Sequence, residues 1–444
     1  MRSMHPTRLF SLALLLTIGL YGCTLVPTAE PPEPPPDRDA LLEVLDLNAA
    51  DLEGVDLDAI IGSLDASAIV EAVRASEREG EAAVGKNYLV RSGGSIQEAV
   101  DAAPVGGTVF VRPGTYEETV TITKSLHLVG LGRPGAVVIQ DPGDGENGIF
   151  ARGVSGLSLI NLTVRGFSNN GVFFVDVDGY LLFRLVTDQL REGAYGLFPV
   201  RSRNGLIARC TATGADDAGI YVGQSENVAV VHNEAYGNVI GFEAENVKQN
   251  AWAYNYGYDN VAGMLAILLP PSRFISVLHA EELLVAHNRF TGNNGDNFAE
   301  EGELAAFVPS GSGLLVFGYD DSLIRRNHVT GNAYTGIGLG STVTLWAAAG
   351  RDLADLAAID PHPDDVQVID NRVTGNGFGP PLALPGLPDA VPAVDLLWDK
   401  PVIDFLASVL PGFPFAAYGT GNCWEGNTYE SSFPEDLPSC GTSD

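Results

Sequence analysis

Basic residues, cysteine and methionine are scarce in this sequence. Its 444 residues include 4 cysteines and 3 methionines, and 56 acidic residues outnumber 25 lysines and arginines, giving a formal charge of −31. Because phosphate binding is driven by Lys and Arg, this charge argues against nucleic acid as a partner. The HExxH and CxxC spacings are also missing, so neither a zincin site nor a dithiol redox site is indicated.

An apolar run behind two arginines predicts an export signal at the N-terminus. The run covers 9–22 and is followed by Cys23, an ending that resembles the lipobox of bacterial lipoproteins, in which the cysteine is acylated. We expect a lipoprotein signal peptide over 1–22, lipidation of Cys23 and a Pro-rich tether over 23–39. A plain secretory signal and an uncleaved anchor are the alternatives. No later segment has 18 uninterrupted apolar residues, so lipid is the expected membrane contact.

Asparagine recurs at a nearly constant interval along the remaining chain. Alignment by hydrophobic strands puts the following asparagines in one column: Asn161, Asn233, Asn255, Asn288, Asn327, Asn371 and Asn427. Leu185 and Cys210 fill the two gaps, and most members have a second asparagine five residues later. A period of about 23 residues built from strands predicts a solenoid whose equivalent amides stack and hydrogen-bond along the axis. Asparagine also tolerates the left-handed backbone conformation that corners require, so we expect the ladder members to supply it.

Two helical signals come before the repeats. Residues 40–87 are acidic and helical in pattern, and they are expected to form one or two amphipathic helices ahead of the solenoid. A capping box with Ser95 and Glu98 opens a short helix that would cover the first coil.

A resemblance begins at this short helix. The stretch SIQEAVDAAPVGGTVFVRPGTYEETVTITKSLHLVGLG, residues 95–132, resembles the opening coil of the pectate-lyase-like superfamily of right-handed parallel β-helices. Over 88–376 the chain is similar to a bacterial family of exported β-helix repeat proteins, often lipoproteins, that has no assigned activity. Genes of that family are reported beside an exported cytochrome-like protein, which suggests a protein partner. The resemblance implies an all-β, right-handed parallel β-helix of about ten coils over 88–444 with an N-terminal helical cap.

The catalytic motifs of the related enzymes are incomplete here. The string 187–190 does not match the QDTL motif of pectin methylesterases, and of the polygalacturonase elements only Asp216 and Asp217 are found. Asp360-Pro-His-Pro resembles the DPHD motif of mannuronan epimerases, with the final acid replaced by proline. Whether the protein is an enzyme is therefore left open.

Aligned strands place aromatic, acidic and amide side chains in neighbouring columns. Phe173, Phe198 and Tyr221 share a column with Glu243, and the next columns contain Glu245, Arg201 and Gln224. If these columns point outward, aromatic faces beside hydrogen-bonding groups suit sugar rings. A covering loop would instead close them into a buried aromatic stack. The candidate ligand-binding residues are Phe173, Phe198, Arg201, Tyr221 and Gln224.

Four acidic residues are the candidate catalytic groups. Glu243 and Glu245 project from the same side of one strand, and Asp216 and Asp217 lie one coil earlier. Paired carboxylates can serve as acid and base if their pKa values differ. They can also bind Ca²⁺, the one cofactor considered, or form a solvated surface. No metal-ligand set can be assigned from the sequence.

The remaining cysteines fit an exported protein. Cys423 and Cys440 are close enough in sequence to close one loop, and an oxidising compartment would favour a disulfide that staples the C-terminal end of the stack. Cys210 is expected to be a buried apolar residue.

The steps between column asparagines lengthen after Asn255. Coils cannot absorb the extra residues, so these must leave the stack as loops. The loops are expected near 269–280, 295–312, 342–364 and 377–420. The last is Pro-rich and apolar, with Trp398, Phe405 and Phe413 as anchors, and it either shields a flank or offers a docking surface. We favour shielding.

Two functions are compatible with these sequence features. The first is a lipid-anchored protein of the cell envelope, in the outer membrane or periplasm, that binds a glycan or an exported protein partner. The alternative is a polysaccharide-active enzyme of the lyase or epimerase type, acting on a uronate-containing polymer through Asp216, Asp217, Glu243 or Glu245. We favour the first, because no complete catalytic constellation is present.

Overall fold

The computed structural model describes residues 38–77, 88–383, 390–410 and 412–441. The predicted signal peptide, the lipidation site Cys23 and most of the predicted tether lie outside these residues. Within the described part of the chain, none of the helices has the length and hydrophobicity needed to cross a bilayer.

Parallel strands stack into three faces, which the chain visits in turn in each coil. The first face is a 12-stranded sheet. Its strands are β1 (Tyr88–Val90), β2 (Gly107–Val111), β5 (Leu126–Gly130), β8 (Ser155–Ile160), β11 (Asp178–Phe183), β13 (Arg203–Ala208), β15 (Glu226–Val231), β18 (Lys248–Ala253), β21 (Glu281–Ala286), β24 (Leu323–Arg325), β27 (Gln367–Ile369) and β30 (Cys423–Glu425). The expectation of about ten coils is therefore slightly low, because several strands precede the asparagine column.

The second and third faces are joined by two long strands that turn the corner between them, β12 (Val186–Val200) and β14 (Thr211–Gly223). Their first halves belong to the second face, with β3 (Gly114–Glu117), β6 (Val137–Gln140), β9 (Thr163–Arg165), β16 (Glu234–Tyr236), β19 (Tyr256–Tyr258), β22 (Arg289–Thr291), β25 (His328–Thr330) and β28 (Arg372–Thr374). Their second halves belong to the third face, with β4 (Val120–Ile122), β7 (Asn147–Arg152), β10 (Asn170–Val175), β17 (Ile240–Glu245), β20 (Ala262–Ile267), β23 (Ser312–Phe317), β26 (Thr335–Gly340), β29 (Val394–Trp398) and β31 (Ser432–Phe433).

The predicted asparagine ladder is confirmed at the corner between the first and second faces. The side-chain amide of Asn233 donates to Oδ1 of Asn255 at 3.0 Å, and Asn255 donates in the same way to Asn288 at 3.0 Å. The ladder continues through Asn327, Asn371 and Asn427. Each Oδ1 also accepts a backbone N–H from the preceding ladder position, as Asn255 does from Asn233 at 3.0 Å. The polar groups of this buried corner are thus satisfied within the ladder itself.

The structure removes Asn161 from this column. In the register of the first face, Leu162 and not Asn161 shares a position with Leu185. Asn161 lies one residue earlier, where its amide donates to the backbone oxygens of Gly130 and Gly132, each at 2.9 Å. The sequence alignment fails here because the next two ladder positions are hydrophobic, so no asparagine fixes the register.

The residue before each ladder asparagine supplies the left-handed backbone. φ is +56° at His232 and +57° at Tyr254 and His287, each of which directly precedes a ladder member. At the next corner, glycine of the Thr-Gly-Asn segments does the same, with φ +61° at Gly292 and +73° at Gly331. The expectation that the column asparagines turn the chain therefore holds for Asn161, with φ +55°, and is wrong for the ladder members. They bond the coils together, and their neighbours make the corner.

A second amide ladder runs along the corner between the second and third faces. Asn238 donates to Asn260 at 3.1 Å, and the series continues through Asn293, Asn332 and Asn376. It ends on Asp395, which accepts both the amide and the backbone N–H of Asn376 at 2.9 Å. A carboxylate only accepts hydrogen bonds, so it is a suitable last member.

Glycine opens the third-face strands because a side chain there would strike the next coil. A Cβ built on Gly241 lies 2.7 Å from the carbonyl oxygen of Gly263, and one on Gly263 lies 2.5 Å from that of Gly313. The same clash occurs at Gly171, Gly196, Gly219, Gly313 and Gly336. These glycines therefore allow the coils to approach closely.

The interior is filled by apolar side chains from all three faces. Phe242, Trp252 and Phe290 are fully buried, and the ring of Phe242 meets the other two edge to face at 6.3 Å. Such contacts between successive coils bury the continuous core that a solenoid requires.

Three helices lie along the outer side of the first face. They are α1 (Arg38–Leu45), α2 (Leu57–Gly62) and α3 (Ala66–Ser76), with a 3₁₀ turn at Ala49–Leu52. Ile60, Ile69 and Val73 pack in one cluster with Phe183 and Leu206, which point outward from the first face. The helices expected ahead of the solenoid in the sequence are therefore present, three instead of one or two. They lie beside the first face because its outward side chains are apolar and need a cover.

A fourth helix, α4 (Ile96–Ala102), closes the core at the first coil, as the sequence predicts. Ser95 Oγ accepts the backbone N–H of Glu98 at 3.1 Å. Glu118 accepts two further N–H groups of the first turn, at 2.7 and 3.0 Å. The cap of this helix therefore uses a carboxylate from a following coil as well as the predicted Ser95.

The C-terminal coils are closed by a disulfide and by short helices. Cys423 and Cys440 form the expected disulfide, and Cys210 is buried and free. The helices are α5 (Thr342–Ala348) and α6 (Lys400–Val409), and 3₁₀ turns span Leu304–Phe307 and Leu353–Ala358.

The segment predicted to leave the stack over 377–420 returns to it in the middle. β29 pairs with β26 on the third face, and the Trp398 ring lies 5.2 Å from that of Trp424 in the core. Phe413 packs with Ile403 of α6 against the α5 region, and Phe405 is half-buried. This packing agrees with shielding, but the prediction of one continuous loop is wrong.

Candidate functional site

A cleft on the third face collects most of the predicted site residues. Outward side chains of β7, β10, β12, β14 and β17 form its floor, and the segments 268–280 and 292–311 form its walls. Its volume is about 750 Å³. We call it the third-face cleft.

Stacked aromatic rings form the floor of the third-face cleft. Phe150, Phe173 and Phe198 occupy one outward position on successive coils, with ring centroids 5.4 and 4.9 Å apart. Tyr221 continues the row 4.6 Å from Phe198, and Tyr195 lies parallel to Phe198 at 4.1 Å. The alignment of Phe173, Phe198 and Tyr221 expected from the sequence is therefore correct.

The aromatic row is open at one end and covered at the other. Phe150, Phe173 and Phe198 are partly exposed along the cleft, whereas Tyr221 is only 3% exposed. Both alternatives left by the sequence thus hold in part. The exposed rings offer apolar faces to a ligand, and the covered end holds the acidic residues.

Asp216 and Asp217 lie at an irregular corner of β14. The pairing of β12 with β14 shifts register between Asp188 and Tyr195. The hydroxyl of Tyr195 donates to Asp217 at 2.5 Å. Burial, reinforced by the charges of Asp216 and Glu303, raises the pKa of Asp217 to about 7, although the Tyr195 hydrogen bond opposes this shift. Burial also raises the pKa of Asp216, beside the charge of Glu300.

Glu243 and Glu245 extend the acidic group onto the next coil. Glu243 pairs with Tyr221 in the strand register and is 6% exposed. One of its carboxyl oxygens is buried without a hydrogen-bond partner in the described residues. Burial first, then the charges of Asp217 and Glu245, hold the pKa of Glu243 well above its usual range. Burial raises the pKa of Glu245 to about 7, against the effect of a hydrogen bond from Tyr221.

The cations of the third-face cleft are few and partly used. The guanidinium of Arg201 pairs with Asp176 at 2.9 Å, and Arg152 lies 3.9 Å from the same carboxylate. Arg201 therefore reaches the cleft, as predicted, but one side of its guanidinium is already bound.

Gln224 has a structural task that the sequence does not reveal. Its amide nitrogen donates to the backbone oxygen of Phe274 at 2.9 Å, and its oxygen accepts the N–H of Ser276 at 2.8 Å. Both ends of the amide thus hold the wall segment 268–280. Gln224 therefore has a positioning role, and because it also lines the cleft, its direct contact with a ligand stays a prediction.

Several cleft residues were missed by the sequence reading. Phe150 lies one coil before the first strand that was aligned, so extending the alignment would have found it. Tyr195 is hidden by the register shift in β12. Phe274, Glu300 and Glu303 come from non-repeating wall segments, which carry no periodic signal.

The described residues of this cleft include no metal-ligand group, and the Asp360-Pro-His-Pro motif lies outside the cleft. Within the described ranges, no group of three or more His, Cys, Asp and Glu side chains is placed to hold a metal ion. His362 is buried elsewhere, with Nε2 3.0 Å from the backbone oxygen of Phe415. The structure thus gives no support to Ca²⁺ at the acidic residues or to an epimerase-like use of His362.

Comparisons with known proteins concern the fold. The family described as right-handed β-helix region matches residues 147–303. The A-module of mannuronan C-5 epimerase AlgE4 from Azotobacter vinelandii is 17% identical with a TM-score of 0.48, covering 76% of this chain and 95% of that chain. Alginate lyase from Paenibacillus sp. str. FPU-7 is 13% identical with a TM-score of 0.43, covering 81% and 99%. No curated protein sequence matches this chain significantly.

The strand stack and the family match together define the class. This is a right-handed parallel β-helix protein, all-β apart from short helices. Any activity must therefore be argued from the third-face cleft itself.

Proposed function

We propose that the protein binds a sugar chain in the third-face cleft. The observation that carries this proposal is the row of partly exposed rings at Phe150, Phe173 and Phe198, beside buried carboxyl groups. Sugar rings have apolar C–H faces that pack on aromatic rings and hydroxyl edges that hydrogen-bond to carboxyl groups. The row follows the solenoid axis, so a linear chain can lie along it.

The charge of the cleft narrows the class of sugar. Its lining contains the carboxyl groups of Asp216, Asp217, Glu245, Glu300 and Glu303 against the cations Arg152 and Arg201. A uronate chain would add carboxylates to this crowded group, which is unfavourable where solvent is partly excluded. We therefore assign neutral or amine-bearing sugars to this cleft.

Acid–base chemistry on the bound chain is a second candidate function. Asp217 and Glu245 have pKa values of about 7, and each is hydrogen-bonded to a tyrosine hydroxyl. Carboxyl groups that titrate near neutrality can donate and accept protons in one catalytic cycle. This observation supports the polysaccharide-active enzyme predicted as the alternative from the sequence. Its substrate would be a neutral or amine-bearing sugar chain in place of a uronate polymer.

Binding is tested by screening the full chain against a glycan array and titrating the best neutral oligosaccharide. Phe198→Ala should weaken binding by about tenfold, because it removes the central ring of the row. Tyr236→Ala is the matched control, since it removes a stacked ring from the second face. Equal affinity of Phe198→Ala and the unchanged protein would refute the proposal.

Turnover of the same oligosaccharide tests the second candidate. Asp217→Asn and Glu245→Gln should each abolish product formation while leaving binding measurable, and Glu226→Gln, at an exposed position outside the third-face cleft, should keep full activity. If the unchanged protein binds the oligosaccharide but forms no product, it is a binding protein and not an enzyme on this sugar. If it binds no sugar, an exported protein is the favoured partner.

We also propose lipid anchoring in the cell envelope through Cys23. The support is the sequence alone, since an apolar run ends at this cysteine. Mass spectrometry of the mature N-terminus should find an acylated Cys23, and Cys23→Ser should release the protein from the membrane fraction. An N-terminus cleaved at another site would contradict this.

A further inference from the structure

A second pocket lies on the later coils of the third face, outside the third-face cleft. Strands β23, β26 and β29 and helices α5 and α6 contribute to its lining, and its volume is about 180 Å³. The wall segment 292–311 separates the two sites, because Glu303 and Ala305 line the cleft whereas Phe307 and Pro309 line the pocket. We call it the Gly338 pocket.

The floor of the Gly338 pocket is formed where a side chain is missing from an outward column. On successive coils this column contains Leu315, Gly338 and Leu397. A Cβ built on Gly338 meets only side-chain atoms, the nearest being Cδ2 of Leu315 at 3.0 Å, and its φ is not in the left-handed region. At Gly336, by contrast, a Cβ would lie 2.6 Å from the carbonyl oxygen of Asp395. Neither its own backbone nor that of the next coil requires glycine at 338, and its missing side chain opens the pocket.

Apolar side chains form most of the walls. They are Phe317, Leu345, Leu382, Val391 and Val402. An apolar cavity of roughly 150 Å³ holds one benzene molecule. The Gly338 pocket is slightly larger, so it has room for a single aromatic ring with a short substituent.

One buried carboxyl group, that of Asp399, also lines the Gly338 pocket. It accepts hydrogen bonds from the hydroxyl of Tyr418 at 2.6 Å, from the backbone N–H of Ser341 at 2.9 Å and from the hydroxyl of Thr344. Burial raises the pKa of Asp399 to about 6, and these three hydrogen bonds oppose the shift. Because a carboxylate can accept about four hydrogen bonds, one further donor can be accommodated.

The negative charge of Asp399 has no positive partner in the part of the chain that the structure describes. The neighbouring Lys400 pairs with Asp404 at 2.7 Å instead. The Tyr334 hydroxyl lies near enough to Asp399 that this charge, after burial, raises its pKa, and Tyr334 lines the same pocket. A buried charge without a partner is unfavourable, so a cationic ligand group beside Asp399 would be stabilised.

We propose that the Gly338 pocket binds a small primary amine that carries one aromatic ring. The ring occupies the space over Gly338, between Leu315 and Leu397, and the ammonium group donates to Asp399. A ligand with a carboxylate is rejected, because it would place a second negative charge beside Asp399. The inference is independent of sugar binding in the third-face cleft.

Calorimetric titration of the full chain with benzylamine tests the proposal, with benzyl alcohol and benzoate as comparisons of the same size. Benzylamine should bind at one site, benzyl alcohol about tenfold more weakly or worse, and benzoate not measurably. Gly338→Leu should abolish benzylamine binding, because the new side chain fills the pocket. Asp399→Asn should reduce the affinity for benzylamine to about that for benzyl alcohol. Asp404→Asn, on the same helix α6, is the matched control and should bind benzylamine like the unchanged protein.

Each remaining outcome decides the proposal. Absence of benzylamine binding overturns it, as does an unchanged affinity of Gly338→Leu. Benzyl alcohol or benzoate binding as tightly as benzylamine overturns the amine assignment. Phe198→Ala should bind benzylamine normally, and a loss there would place the amine in the third-face cleft and overturn the assignment to this pocket. If Asp399→Asn lacks a cooperative unfolding transition, Gly338→Leu and the benzyl alcohol comparison still decide, because neither removes a buried hydrogen bond.

Discussion

At the residue scale, stability depends on buried amides that bond to each other rather than to water. Asn288 donates to Asn327 and to the backbone oxygen of Trp252, and it accepts two hydrogen bonds from Asn255. A side chain in this position satisfies groups on both neighbouring coils. Its loss therefore leaves several buried polar groups unpaired at once.

Asn288→Ala should lower the free energy of unfolding by about 2–4 kcal/mol. Asn427→Ala should cost clearly less, because Asn427 is the last member of the ladder and is only half-buried, so water can replace its bonds. Urea unfolding of the two variants measures the difference. Equal decreases in the free energy of unfolding would show that bonding to neighbours on both sides in the ladder adds no stability beyond that of its last member.

Protonation of the buried acidic group sets a pH dependence. Glu243 has an ordinary pKa of 4.5, and burial with the charges of Asp217 and Glu245 raises it well above this value in the folded protein. The folded state therefore keeps a proton that the unfolded chain releases, and stability from this group falls as pH rises from about 4.5 towards the folded pKa.

Glu243→Gln removes this proton release and should therefore reduce the decrease in stability as pH rises. The free energy of unfolding of the variant minus that of the unchanged protein should be larger at pH 8 than at pH 5. Urea unfolding of both proteins at both pH values measures this difference. The same difference in free energy at the two pH values would mean that Glu243 is ionised in the folded state.

At the scale of single elements, the close approach of neighbouring coils determines which strand positions require glycine. Gly263→Ala places a Cβ 2.5 Å from the carbonyl oxygen of Gly313, so it should cost about 1–3 kcal/mol or more through overpacking. Gly62→Ala, where a Cβ meets nothing within 4 Å, should be neutral or slightly stabilising. Thermal unfolding of the pair tests this, and a neutral Gly263→Ala would show that neighbouring coils can separate freely.

The side chains of Gln224 and Asn246 both hold the wall segment 268–280 by hydrogen bonds to its backbone. Asn246 donates to the backbone oxygens of Leu269 and Val277, at 2.9 and 2.6 Å. Gln224→Ala should therefore speed hydrogen exchange and proteolysis within 268–280 while leaving exchange in the wall 292–311 unchanged. Equal protection of 268–280 in the variant would show that packing, and not the amide, holds this wall.

Repeating elements could be predicted from the sequence, and non-repeating ones could not. The ladder from Asn233 to Asn427 and the row from Phe173 to Glu243 follow from a period set by coil size. The off-by-one placement of Asn161 and the missed Tyr195 both occur where hydrophobic ladder positions or a register shift interrupt that period. Contacts such as Gln224 with Phe274 depend on how an irregular loop folds back, which no spacing encodes.

At the scale of the whole molecule, the three faces have different surroundings. The first is covered by the N-terminal helices, the third carries the acidic, aromatic cleft, and the second presents Arg289 and Arg372 to solvent. A solenoid allows this division, because each face repeats independently along the axis.

Hydrogen exchange with and without the tightest-binding neutral oligosaccharide would locate the sugar site on the protein. If the third-face cleft is the site, saturating ligand should slow exchange in 195–224 and in both wall segments, 268–280 and 292–311. Exchange in the second-face strands 289–291 and 372–374 should not change. Protection confined to the second face, or none at saturation, would contradict the assignment of sugar binding to the third-face cleft.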